Sequence, residues 1–184
     1  MTTLDIVIIV VVILLLGGIL APIFYRHRRK QGFQKKYGPE YDKAVKTMGG
    51  DKKAQTEMDD RRKHVEGLVI RPLTVSEHER YTADWKSVQS KFVDEPGQAI
   101  VDADRLIMEV MQIRGFPLSD FEQRAADISV NYPDFVSNYR AAREIALKNK
   151  QHQADTEELR KAMVYYRSLF DELLKPEAVD TKEK

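Results

Sequence analysis

The chain has 184 residues, 42% of them apolar and 32% charged, with 30 Lys and Arg against 29 Asp and Glu. It contains no cysteine, which excludes disulfides, thiolate chemistry and cysteine-based zinc sites. Residues 26–36 carry six positive charges and no acid, while residues 37–184 carry 24 basic against 28 acidic side chains, a poor composition for gripping a phosphate backbone, so no nucleic-acid partner is expected.

The run Ile6–Phe24 holds no charge. Its residues would form a helix of roughly 28 Å, near the ~30 Å hydrocarbon core of a bilayer. Met1–Asp5 lacks the positive charge of a secretory leader, and Ile19 stands where cleavage wants a small residue. A transmembrane anchor over residues 1–25 is therefore expected. The juxtamembrane segment 26–38 follows, with Arg26, Arg28, Arg29, Lys30, Lys35 and Lys36 as a membrane-surface basic cluster. Such a cluster holds its end of the helix on the cytoplasmic side and offers a contact to anionic lipid. The expected location is the inner (plasma) membrane, single-pass, with the N-terminus outside and the C-terminal domain cytoplasmic.

Residues 39–72 read as a polar helical spacer. Gly38-Pro39-Glu40 opens one helix and Gly49-Gly50 closes it. Asp51 begins a second, whose only recurrent apolar positions are Ala54, Met58 and Val65. From residue 73 to 174 the apolar pattern sharpens into four or five amphipathic helices. Ser76 and Glu79 are expected to form a capping box before Tyr81, Trp85, Val88 and Phe92. Pro96-Gly97 starts the next helix, which ends at Gly115. Ser119 and Glu122 make a second expected box, Tyr132-Pro133 a break, and Asp155 with Glu158 a third box. Residues 175–184 read as a charged, disordered tail. The fold class is all-α: an N-terminal transmembrane helix, the polar spacer, then a compact bundle.

Little in this pattern carries chemistry. His27, His64, His78 and His152 are scattered without metal-ligand spacing. Asp102 and Asp104 diverge on a helix, with surface solvation or Arg105 as their ordinary company. No phosphate loop, dinucleotide fingerprint or nucleophile elbow is present. No catalytic, cofactor-binding or metal-binding residue is assigned, and an enzyme is not expected. Arg140, Arg160, Tyr165 and Arg167 are the candidate interaction surface, since Tyr and Arg favour binding hot spots. The expectation is a membrane-tethered scaffold or adaptor with a protein partner. The alternative is a small-molecule or lipid-binding domain, enzymatic or not, with a pocket near Trp85, Tyr139 and Tyr166.

Several stretches carry a resemblance: Tyr37-Gly-Pro-Glu-Tyr-Asp42, Arg71-Pro72-Leu73, Trp85-Lys-Ser-Val-Gln89 with Phe92-Val-Asp94, Arg114-Gly-Phe-Pro117 and Arg124-Ala-Ala-Asp-Ile-Ser129. With the closing segment Thr156–Phe170, they resemble a family of uncharacterised bacterial single-span membrane proteins, conserved hypotheticals with an N-terminal anchor and a helical C-terminal domain. The resemblance implies a shared helical domain and a bacterial source, and no activity or ligand.

Overall fold

Proline opens three helices of this chain, because its missing N–H is no loss in a first turn. Pro39 starts α1 (Pro39–Met48), Pro96 starts α4 (Pro96–Arg114) and Pro133 starts α6 (Pro133–Lys150). Between them lie α2 (Asp51–Glu66), α3 (Val75–Lys91) and α5 (Phe121–Asn131), and α7 (Thr156–Leu174) is last. Residues 27–37 are also helical, and the described residues contain no strand. The computed structural model describes residues 24–175 apart from Arg26 and Leu118.

Asp155 and Glu158 cap α7 as expected, each side chain bonding the other's backbone N–H. The α3 box is displaced by two residues: Thr74 and Glu77 form it, with Ser76 only 3.3 Å from the Thr74 hydroxyl. The α5 cap is displaced by one, because Asp120 takes the Gln123 N–H in place of Ser119. Gly115 ends α4 in the left-handed region at φ 103°. A Cβ there would come within 2.2 Å of the Val69 carbonyl oxygen. The extended 69–71 backbone passes this close because the Arg71 N–H donates to the Arg114 carbonyl at 2.8 Å.

The chain divides into two compact units, with the boundary inside α2 between Thr56 and Glu57. In the first, the fully buried Tyr41 donates its hydroxyl proton to Asp51 at 3.1 Å and accepts from Gln55 at 3.2 Å. Phe33 packs against both Tyr37 and Tyr41. The second unit is a bundle. The five-residue loop 151–155 folds α6 and α7 into a hairpin, the most extensive helix pair among the described residues, and α4 packs on α3, α6 and α7. Ala99, Ile100, Ile107, Val110, Val136, Leu169 and Leu173 are wholly enclosed between these helices. At about 1.5–3 kcal/mol for each large aliphatic side chain removed from water, this stripe is the main source of cohesion.

Polar residues then fix how the apolar faces meet. Asp104 is buried; its carboxylate accepts from Tyr166 at 3.1 Å and from Arg143 at 2.9 Å. Neither surface solvation nor Arg105, the company expected from sequence, is what Asp104 finds; Arg105 reaches Asp102 instead. Burial, with the Asp104 charge adding to it, holds the Tyr166 hydroxyl far above its usual range. Arg114 is 0% exposed and donates to the Tyr132 hydroxyl at 2.6 Å, the Leu173 carbonyl at 3.0 Å and the Arg71 carbonyl at 3.2 Å.

The membrane-spanning part of the expected architecture requires correction. Among the described residues, no helix is long and apolar enough to cross a membrane. The longest, α4 and α7, have 19 residues each and are interrupted by charges such as Asp102, Arg105, Glu109, Arg160, Arg167 and Asp171. This overturns the transmembrane and single-pass elements of the predicted fold. The run Ile6–Phe24 on which they rested lies, except for Phe24, outside the described residues, as does the tail 176–184.

Candidate protein-interaction groove

Residues at helical spacing on α3 and α7 build an open cleft on the bundle. On α3, His78, Thr82, Trp85, Lys86 and Gln89 share a stripe; on α7, Arg167, Phe170, Asp171 and Leu174 share another. Both helices pack on α4, and the two stripes face one cleft of about 410 Å³. Its floor is aromatic. The Trp85 and Phe170 rings stack with centroids 4.5 Å apart and planes 17° from parallel. Trp85 is only 4% exposed, and its buried indole N–H has no acceptor among the described residues. A buried donor left unpaired costs about 1–3 kcal/mol, so this one is unusual for a packed core.

The rim is basic. Lys86, Arg167 and Lys175 border the cleft against a single rim carboxylate, Asp171. Arg167 reaches Asp171 at 3.4 Å with both side chains well exposed, a pairing worth little in water. Lys175 lies beside Glu172, and Lys86 has no carboxylate within ion-pair distance among the described residues. The cleft between α3 and α4 is different in kind. There Asp102 takes Lys91 at 2.9 Å and Arg105 at 3.5 Å, so its charges satisfy one another.

The four residues singled out from sequence divide. Arg167 lines the cleft, and Arg160 stands on the same α7 stripe two turns earlier, bidentate to Glu157. Between them Val164 is 52% exposed, a bare apolar side chain that the sequence reading missed. Tyr165 instead packs against the core. Arg140 is engaged away from this stripe, with Glu122 at 2.6 Å and the Phe121 ring. Of the three residues of the alternative pocket, Tyr139 and Tyr166 are fully buried, their hydroxyls taken by Arg124 and Asp104; Trp85 alone borders a cleft.

The basic cluster is spread along the helical run before α1. Arg28, Arg29, Lys30, Lys35 and Lys36 are exposed, and Arg26 lies outside the described residues. Lys30 is bound to Asp51 at 3.2 Å, while Arg28 sits over Phe24 and Lys36 over Tyr37.

One further cluster joins α2 to α5. The buried Asp127 accepts from Gln123 at 2.8 Å and lies 3.6 Å from His64, with its second oxygen unpartnered among the described residues. Burial raises its carboxyl above the usual carboxylate range, opposed by the Gln123 bond and by the nearby His64 and Arg61. Ser129 is close by, but its hydroxyl donates to the Ala126 carbonyl at 2.6 Å, which commits the proton that a nucleophile would have to lose. No group of three His, Asp or Glu side chains among the described residues could hold a metal ion.

Comparison with protein-family models, with curated proteins and with solved structures finds no match, so the family resemblance rests on its sequence motifs alone.

Proposed function

We propose that the chain is a helical protein-interaction module, a scaffold or adaptor, that docks its partner in the α3–α7 groove. The observation supporting this is the stacked Trp85–Phe170 floor in an open cleft, with Lys86 on its rim lacking a carboxylate partner among the described residues and Arg167 held only by a long, exposed pairing to Asp171. Aromatic anchors inside a polar rim are what interaction hot spots use, because the ring supplies apolar area at small entropic cost while the rim excludes water and selects charge. The exposed Val164 between Arg160 and Arg167 extends the surface along α7.

The test is site-specific photocrosslinking of the full chain in its native cell. A photoreactive side chain replaces Gln89 in the groove or, as a control, Lys150 at the end of α6. The expected result is a discrete protein adduct from position 89 and none from position 150. Equal adducts from both positions, or none from position 89 in a folded and expressed chain, refute a docking groove.

A further inference from the structure

The rim of the groove specifies the chemistry of its occupant. Of its three cations, Lys175 is held by Glu172 and Arg167 reaches Asp171, while Lys86 is the one that stands apart. Lys86 has no carboxylate partner among the described residues, and the Arg167–Asp171 pair is long and solvent-exposed, so both cations are open to an incoming anion. Between the cations lies the Trp85–Phe170 stack, whose rings belong to the core and show the cleft only an edge. From His78 to Gln89 the α3 stripe runs about 16 Å, the length of three helical turns or five extended residues.

We infer that the occupant is a short acidic segment of a partner protein: one apolar or aromatic anchor seated on Trp85 and Phe170, flanked by carboxylates that meet Lys86 and Arg167. A polyanion such as RNA would satisfy the cations and leave the aromatic floor with stacked bases only. The body of the domain opposes it, since residues 37–184 hold more acid than base and repel an extended phosphate backbone. A short peptide meets mainly the rim of the groove, where Lys86 has no carboxylate partner among the described residues. The inference rests on the interaction-module reading and adds the partner's charge and anchor to it.

Trp85 is the chain's single tryptophan, so its fluorescence reports the groove directly. The experiment titrates the full chain with three labelled peptides that share one central Phe. The first is flanked by Asp and Glu, the second by Asn and Gln, and the third by Lys. An oligonucleotide is the fourth probe. The acidic peptide is expected to bind at least tenfold tighter than the neutral one, to shift Trp85 emission, and to weaken with added salt. Lys86→Glu and Arg167→Glu, both on exposed side chains, should each cut its affinity about tenfold, and the double variant should bind the Lys peptide instead. Equal binding of acidic and neutral peptides, or oligonucleotide binding stronger than the acidic peptide's, overturns the inference. The position-89 adduct separates the two levels: an adduct that survives Lys86→Glu with no acidic residue in its crosslinked segment refutes the acidic partner alone. Loss of every adduct refutes the module.

Discussion

Arg114 is the residue whose removal should cost the bundle most. Replacing it with Met keeps the aliphatic stem and deletes the guanidinium. Two buried acceptors and one half-buried one then lose a charged donor: the Tyr132 hydroxyl at 2.6 Å, the Leu173 carbonyl at 3.0 Å and the Arg71 carbonyl at 3.2 Å. Hydrogen bonds from a charged group contribute about 1.5–3 kcal/mol each, so the gross loss is roughly 5–9 kcal/mol. Against this stands the cost of burying a guanidinium, several kcal/mol, which Met does not incur. The net expectation for Arg114→Met is a destabilisation of about 3 kcal/mol. For a chain of this length that is a fall of roughly 10 °C in midpoint. Urea and thermal unfolding of the full chain, followed by circular dichroism, measure it. Tyr132→Phe removes one acceptor and should cost about 1 kcal/mol. Combined, the two changes should cost less than their sum, since they delete one shared bond. A loss below about 1 kcal/mol for Arg114→Met, or strict additivity with Tyr132→Phe, would refute the view that this arginine pins three segments together.

Gly115→Ala should destabilise by more than about 2 kcal/mol, because strain at φ 103° adds to a Cβ held 2.2 Å from the Val69 carbonyl oxygen, a backbone atom that cannot swing aside; a near-wild-type urea midpoint would contradict the close approach. Glu77 titrates near 2 in the fold instead of its ordinary 4.5, held down first by the Arg71 hydrogen bond, so its contribution is complete above pH 4.5 and disappears as pH falls from 4.5 toward 2. Glu77→Gln should flatten the acid limb of a stability-versus-pH curve over that window, and an unchanged limb would show the pairing to be inert. Asp127 has the opposite sign: its raised carboxyl value makes the charged form a burden at neutral pH that vanishes as pH falls below its ordinary 3.8. Asp127→Asn should therefore raise the urea midpoint at neutral pH, and a lower midpoint would mean that His64 outweighs burial. Trp85→Phe deletes the indole N–H that lacks an acceptor but also shrinks a ring packed in the core, so it should cost about 1–2 kcal/mol while weakening the acidic peptide; unchanged peptide binding would show that Trp85 serves packing and not docking.

The helices were legible because punctuation and periodicity agree: Pro39, Pro96 and Pro133 open elements, Gly49 and Gly115 close them, and apolar spacing marks the buried faces. Capping was legible only where one candidate stood alone. Before α3 both Thr74-x-x-Glu77 and Ser76-x-x-Glu79 satisfy the pattern, and a tertiary contact decides, since Arg71 clasps Glu77 at 2.7 and 2.8 Å. Arg114 and Asp104 were not legible as interior groups, because charged residues are buried only when distant partners receive them. Those partners, Leu173 and Tyr166, lie on α7. The groove was half legible. Arg160 and Arg167 were picked on composition, but Lys86 and the floor depend on Trp85 meeting Phe170 across the fold, a pairing no local pattern announces.

The same long-range polar bonds explain how the groove keeps its shape. Apolar faces reward burial without fixing register, and a helix can slide a turn along an oily neighbour at modest cost. Here Asp104 bonds Tyr166 midway along α4 and α7, and Arg114 bonds Leu173 near their C-terminal ends. Both bonds join lower to higher positions in the same sense, so α4 and α7 run parallel. A one-turn slip would orphan both bonds at once, in an interior where each orphan costs about 1–3 kcal/mol. The α7 stripe is thus held at one height against α4, while α3 is held against α4 by its own apolar face and by the Lys91–Asp102 pair at 2.9 Å. With both walls referred to the same helix, Trp85 and Phe170 are stacked before any partner arrives. A partner then loses its own freedom on docking but need not order the groove, which is how a short segment can bind a surface this small.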